Sequence, residues 1–562
     1  MQPSRAMATG PRTLLRGALV VDGSGAPAER LDVAIAGESI AEIGEPGTVR
    51  GDEIVELDGL VLAPGFIDPH THFDAQVLWD RDLTPSCWHG VTTVIMGNCG
   101  FGVAPTRPAH HDTIVRTLEH VEGMSADALR AGITWTFETF GEYLDHLRAA
   151  PPRLNVAVMV GHTPLRLYVM GDAAMEREAT DDELRTMEAI VEDAVRAGAI
   201  GFATSRSANH QGAFGRPVPS RFASLEEVTR LARAANRNGR RVVQLAVGPD
   251  LRAPEELAAL AAAAGGPVTW TALLADRGQR GSSLARLAAT RQASRELWAQ
   301  IACRPIVMQI TFAEPSAFGM CPAFAEVLAL NEADRARRYR DDSWRARARR
   351  ELDERWGHRY GDTTVAESER HTELCDGRSV AQLAAERGVH PLDLMLDLAL
   401  EEHLATRFRV VLVNDDVDEI ADLLHADGAL LALSDAGAHA SQLCDACYTT
   451  DLLGQWVRER RSISLERAIW HLSGHPASVF GFADRGRIAV GRRADLVAFD
   501  PATVAPGELV RVTDLPGGAD RLVAPSRGIE HVWVNGTAIR VQGVDVADVR
   551  PGDVIDGGSL AW

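Results

Sequence analysis

Lysine is absent from this chain: all 58 basic residues among its 562 are arginine. No side chain can therefore form a Schiff base, act as a lysine general base or supply a carbamylated bridge between two metal ions. Cysteine is sparse and odd in number, at Cys87, Cys99, Cys303, Cys321, Cys375, Cys444 and Cys447. Seven scattered thiols in so long a chain do not form a disulfide framework. Long apolar runs are missing too. Met1 to Arg12 has no apolar leader, and Arg16 and Gly17 interrupt Leu14–Val21, so neither a signal peptide nor a membrane span is expected and a cytoplasmic location follows. Positive charge is outweighed by negative, leaving a formal net charge of −20, which argues against nucleic-acid or anionic-membrane partners.

What is present describes a globular protein of more than one structural unit, with 46% hydrophobic and 24% charged residues. Residues 13–63 read as short strands and tight turns. Leu31–Ala36, Gly37-Glu38 and Ser39–Ile43 have the pattern of a hairpin. The C-terminal end is similar, and Asn535-Gly536 is a strong hairpin-turn signal. One β-sandwich domain built from residues 1–63 and 484–562 is expected. Between these ends, apolar runs alternate with helical stretches such as Asp181–Ala197, Ser224–Asn236 and Pro254–Ala264, the signature of a parallel α/β barrel over 64–483. The runs are Thr92–Met96, Asn155–Val160, Ala199–Thr204, Arg241–Val247, Val268–Leu274, Pro305–Phe312, Arg407–Val413 and Leu430–Leu433. With the strand before His70 they number one more than eight, and Pro305–Phe312 is the candidate outlier. Residues 321–405, rich in Arg and Glu, read as a helical insertion near the barrel mouth.

Several runs end in residues suited to chemistry, and strand C-terminal ends form the active face of such a barrel. His70 and His72 follow Leu60–Ala63 and the turn Gly65–Pro69; residues i and i+2 of an extended segment share a side. Two neutral imidazoles so placed can bind a divalent ion. In a chain with 18 His the pair means little alone. Cys99 lies between Gly97 and Gly100 after the second run, where a thiolate can ligate zinc. His162 follows the third and can bind metal or polarise a carbonyl. Arg206 follows the fourth and can receive a carboxylate through a bidentate pair. His210 and Arg221 bound the loop after it. Asp435 follows the last run, where a carboxylate can take a proton from an attacking water, and His439 lies close behind. Cys444-Asp445-Ala446-Cys447 has no second pair at zinc-finger spacing.

Together these pieces resemble the amidohydrolase superfamily, and more closely its D-aminoacylase (N-acyl-D-amino-acid deacylase) branch. The resemblance rests on Gly65–Asp74, on Gly90–Val94 running to Gly97–Gly100, on Gly161-His162 with Leu165-Arg166 and Val169–Gly171, on Ser434-Asp435, and on Gly486, Gly491 and Ala494–Val497. It implies a (β/α)8 TIM-type barrel with a β-sandwich from both termini, a metal-dependent hydrolase of a non-peptidic C–N bond, and a zinc ion held by Cys99. It also implies two His ligands from the fifth and sixth strands, but Arg241–Val247 and Val268–Leu274 contain none. Three arrangements stay open. One divalent ion, zinc, sits on His70, His72 and Asp435 with Cys99 or His162; or His210 or His439 substitutes; or metal binding is weak or lost. The implied substrate is a small amide carrying a carboxylate, met by Arg206, Arg221, His210 and His439, with Asp435 and His162 catalytic. Other amides, cyclic amides or esters, decarboxylation, and a non-catalytic binding role are the alternatives. A homo-oligomer is left open.

Overall fold

The computed structural model describes residues 11–319 and 321–562. Residues 1–10, most of the stretch read above as lacking an apolar leader, lie outside the described residues, as does Met320.

Both chain ends join in one nine-stranded sheet. Arg12–Val20, Glu29–Ala36, Ser39–Gly44, Glu53–Glu56 and Val61–Pro64 supply its N-terminal part; Leu496–Phe499, Ile529–Val534, Thr537–Val541 and Val544–Asp545 supply the rest. The seam is the antiparallel pairing of Val61–Pro64 with Leu496–Phe499. Asn535 and Gly536 both take positive φ, 46° and 76°, between paired Val534 and Thr537. That is the mirror-image turn whose twist matches a hairpin. Leu15, Val33, Leu62, Leu496 and Trp533 pack as one apolar cluster against this sheet.

Eight parallel strands form the barrel: β1 (Phe66–Asp68), β2 (Val91–Met96), β3 (Asn155–Gly161), β4 (Gly201–Ser205), β5 (Val242–Ala246), β6 (Val268–Thr271), β7 (Leu297–Ile301) and β8 (Ala429–Leu431). They are hydrogen-bonded in sequence order, and β8 returns to β1 through a parallel bridge between Thr71 and Ala436. Helices connect them. Asp181–Ala197 starts at a capping box in which Thr180 and Glu183 satisfy each other's backbone N–H groups, and Ser224 caps Leu225–Asn236.

The strand count differs from the expectation in an instructive way. Pro305–Phe312 and Arg407–Val413 are not barrel strands. Ile306–Ile310 and Thr364–Glu367 flank Arg407–Val413 in a separate antiparallel three-stranded sheet. The seventh barrel strand is Leu297–Ile301, whose apolar pattern is broken by half-buried Trp298 and fully buried Gln300. Buried polar residues hide a strand from a reading based on apolar runs.

The segment closed by that small sheet carries its own core, in which Phe312, Phe318, Phe324, Tyr339, Trp344, Trp356 and Phe408 pack together. Fully burying side chains of this size is worth roughly 1.5–3 kcal/mol each, which supports an independent apolar unit. It is tied to the loop after β8, where Gln309 N–H donates to the Gln442 carbonyl at 2.7 Å. Among the described residues no helix is long and apolar enough to cross a membrane.

Candidate metal centre

The segment after β1 is sewn into place by its backbone. Thr71 N–H donates to the Ile95 carbonyl at 3.1 Å and His72 N–H to that of Ala436 at 2.7 Å, so the loop lies between the ends of β2 and β8. The His70 N–H faces Asp68 at 3.3 Å. Burial pushes the Asp68 carboxyl up to about 7. Both imidazoles are buried, with ring centroids 5.2 Å apart.

Cys99 occupies a tight turn after β2 with φ of 54°. Left-handed backbone is uncommon for a residue with a Cβ, and persists where the surroundings enforce it. Here the enforcement is close packing: a Cβ on Gly97 would lie 2.2 Å from the Met159 carbonyl oxygen. Cys99 N–H donates to Gln244 Oε1 at 2.6 Å, fixing the turn against β5.

The result is convergence. One ligand atom from each of His70, His72 and Cys99 falls within 4.8 Å of the others, and all three residues are buried. Cys99 Sγ is 3.6 Å from His70 Nε2. Asp435 Oδ1 lies 3.3 Å from the same Nε2 and 3.9 Å from His72 Nε2, with its side chain 37% exposed. Burial holds the His72 imidazole well below its ordinary value, and neighbouring His70 adds to this; burial pushes the Cys99 thiol well up. Two imidazole nitrogens, a thiol sulfur and a carboxylate fit a zinc-like divalent ion.

The other expected residues are placed differently. His162 has both ring nitrogens committed, Nδ1 to Thr204 Oγ1 at 2.8 Å and Nε2 to Glu227 Oε1 at 2.9 Å. Glu227 also takes Arg166 Nη1 at 2.5 and 2.6 Å. Burial would raise the Glu227 carboxyl, but His162 and Arg166 outweigh it and hold it down at about 2. Arg206 spends its guanidinium on Asp250 and on the carbonyls of Ser220 and Ala223. His162 and Arg206 are thus locked in pairs apart from the cluster.

His210, Arg221 and His439 remain at the mouth. His210 Nδ1 meets Ser205 Oγ at 2.6 Å, and burial, then His439 and Arg221, press its imidazole down to about 4. Arg221 reaches only the carbonyls of Ala208 and His210, at 3.2 and 3.4 Å, and has no carboxylate partner among the described residues. His439 donates its N–H to the Glu122 carbonyl and leaves Nδ1 unpaired and buried.

Three residues absent from the sequence expectation complete the surroundings. Glu122 ends the helix His111–Glu122, with Oε1 3.5 Å from His72 Nδ1; burial pushes its carboxyl well up. Gln244 supports Cys99, and Gln300 Oε1 meets His70 Nδ1 at 2.6 Å. A lone amide inside an apolar strand was the available signal for the two glutamines. Nothing in the local pattern marks Glu122. Cys444 and Cys447 are free, buried thiols, with Cys447 Sγ 3.1 Å from the Cys444 carbonyl.

An eight-stranded barrel whose strand ends gather imidazoles, a thiol and a carboxylate is the frame of a metal-dependent amide-bond hydrolase. A model of the amidohydrolase family matches residues 53–540, and the chain belongs to that family, in its D-aminoacylase-like branch. The D-aminoacylase of Alcaligenes xylosoxydans xylosoxydans is 32% identical over 536 residues, covering 94% of each chain. The N-acyl-D-glutamate deacylase of that organism is 29% identical over 558 residues, covering 96% of each. The crystal structure of N-acyl-D-glutamate deacylase from Bordetella bronchiseptica, complexed with zinc and a phosphonate mimic of the tetrahedral intermediate, matches with a TM-score of 0.69 at 27% identity, over 97% of this chain and 100% of that one.

Proposed function

We propose that this chain hydrolyses the amide bond of an N-acyl-D-amino acid with one divalent ion, zinc, held by His70, His72, Cys99 and Asp435. The observation that carries this is the Asp435 carboxylate, partly open to solvent and 3.3 Å from His70 Nε2, beside three buried ligand atoms. Inward-facing Gln244 and Thr269 are neutral where a second ion would need ionisable donors from β5 and β6, which supports a single ion. A bound zinc ion supplies Lewis acidity, polarising the scissile carbonyl and lowering the pKa of a coordinated water to about 7.

The chain's own groups do the rest. Asp435 accepts a proton from the attacking water and returns it to the leaving amine, a role its exposure permits. Arg221, the cation at the mouth without a carboxylate, receives the substrate carboxylate. Half-buried His210 and His439 line the approach. His162 holds the β3–β4 edge rather than touching substrate, because neither ring nitrogen is free.

The test is a panel of N-acetyl-D- and L-amino acids with metal analysis of purified protein. Release of free D-amino acid, one zinc per chain, and loss of the ion in His70→Ala are expected. Two ions per chain, or turnover that survives complete removal of metal, would overturn the proposal.

A further inference from the structure

We infer that Gln300 is a positioning residue for the metal centre: its amide holds the His70 ring so that Nε2 presents a lone pair to the ion. This rests on the function proposed above and adds to it a residue on the strand that apolar patterning does not reveal.

Three side chains, all fully buried or nearly so, form one hydrogen-bonded chain. Gln300 sits in β7 and Thr269 in neighbouring β6. Gln300 Nε2 donates to Thr269 Oγ1 at 3.2 Å, which orients the amide with Oε1 toward His70. Oε1 approaches His70 Nδ1 at 2.6 Å. A carbonyl oxygen only accepts, so the proton of a neutral His70 belongs on Nδ1. Nε2 is then a bare lone pair, and it is this nitrogen that lies 3.6 Å from Cys99 Sγ and 3.3 Å from Asp435 Oδ1.

Metal-binding histidines are ordinarily steered by an acceptor on the other ring nitrogen, and losing it weakens metal affinity about 10–100-fold. The acceptor here is a neutral amide rather than a carboxylate. It orients the ring without adding a further carboxyl group to a site that already holds Asp68, Asp435 and Glu122. An apolar residue at 300 would leave the buried Nδ1–H unpaired, and the ring would be free to turn that N–H toward water or the ligand pocket.

The experiment measures Zn²⁺ affinity by chelator competition, and the Co²⁺ absorption spectrum, in wild type, Gln300→Leu and Gln300→Glu. Gln300→Leu should bind Zn²⁺ about 10–100-fold more weakly with an altered Co²⁺ spectrum. Gln300→Glu, which keeps an acceptor, should recover most of the affinity. If Gln300→Leu does not fold, Gln300→Asn, too short to reach Nδ1, is read by the same criteria. Wild-type affinity and spectrum in the acceptor-free variant would overturn the inference while leaving the functional reading standing. A wild-type chain that takes up no Zn²⁺ would instead overturn the functional reading, and this inference with it. A lower Tm with unchanged Zn²⁺ affinity would mean that Gln300 is merely structural, which also counts against it.

Discussion

Two histidine–carboxylate pairs stand at the ends of barrel strands in this molecule, and they do opposite things. His70 meets Asp435 after β1 and β8; His162 meets Glu227 after β3. In the second pair every valence is spent: Thr204 takes the other ring nitrogen and Arg166 the carboxylate, and all are buried. In the first, the Asp435 side chain is 37% exposed and its carboxylate has no hydrogen-bond partner outside the cluster among the described residues, while Cys99 Sγ and His72 Nε2 crowd the same space. Residue type and strand-end position are shared. Unspent bonding capacity facing a common point suits one pair to the proposed chemistry, and mutual satisfaction of its two members suits the other to bracing the strands.

The comparison breaks most sharply at Asp435. Asp435→Asn should lower kcat by about 10³-fold, within the range a positioned acid–base group contributes, while the urea midpoint barely moves. A variant retaining most of its turnover would show that the open pair is not catalytic.

Glu227→Gln should do the converse. Leaving Arg166 buried without its anion costs about 3–5 kcal/mol, read from equilibrium unfolding, with zinc content per folded chain unchanged. Loss of zinc from the folded variant would join the two pairs into one site.

The two arginines sharpen the same contrast. Arg221→Leu should raise KM about 10-fold or more, the worth of a charged hydrogen bond to the substrate carboxylate, with kcat much less affected. Arg206→Leu should lower Tm instead, because it strands Asp250 and two carbonyls. Equal effects on KM would erase the distinction between spent and open guanidinium groups.

The smallest expected effect is in the acid limb of stability. The Glu227 carboxyl is held at about 2 in the folded chain against an ordinary 4.5. A depressed folded value means that the unfolded state binds more protons between these limits. The stability this group contributes is therefore complete above about 4.5 and is lost as pH falls toward 2. Glu227→Gln should flatten that part of the profile, measured as Tm against pH; an unchanged acid limb would show that the brace is not charged.

Much of this was legible beforehand for reasons that can be named. The barrel showed in apolar runs alternating with capped helices because parallel strands are buried on both faces. His70, His72, Cys99 and Asp435 were legible because short motifs place them at strand ends. What could not be read was competition between partners. His162 and Arg206 were expected at the site, and only the packing of residues 204, 227 and 250 shows them occupied. Gln300 hid a strand and a support together, since a buried amide is indistinguishable in sequence from an exposed one until its neighbours are known.

Local pattern was thus sufficient for the fold class, for strands at both chain ends, and for singling out the short segment His70–His72 as a candidate. Periodicity and turn chemistry act over a few residues and need no distant partner. The tertiary structure alone decided which barrel strand is the seventh, which carboxylate stays open and which is consumed, and how His70 is turned. Those outcomes depend on hydrogen bonds between side chains far apart in sequence, His70 to Gln300 and His162 to Glu227, and each exists only once the barrel brings its strands together.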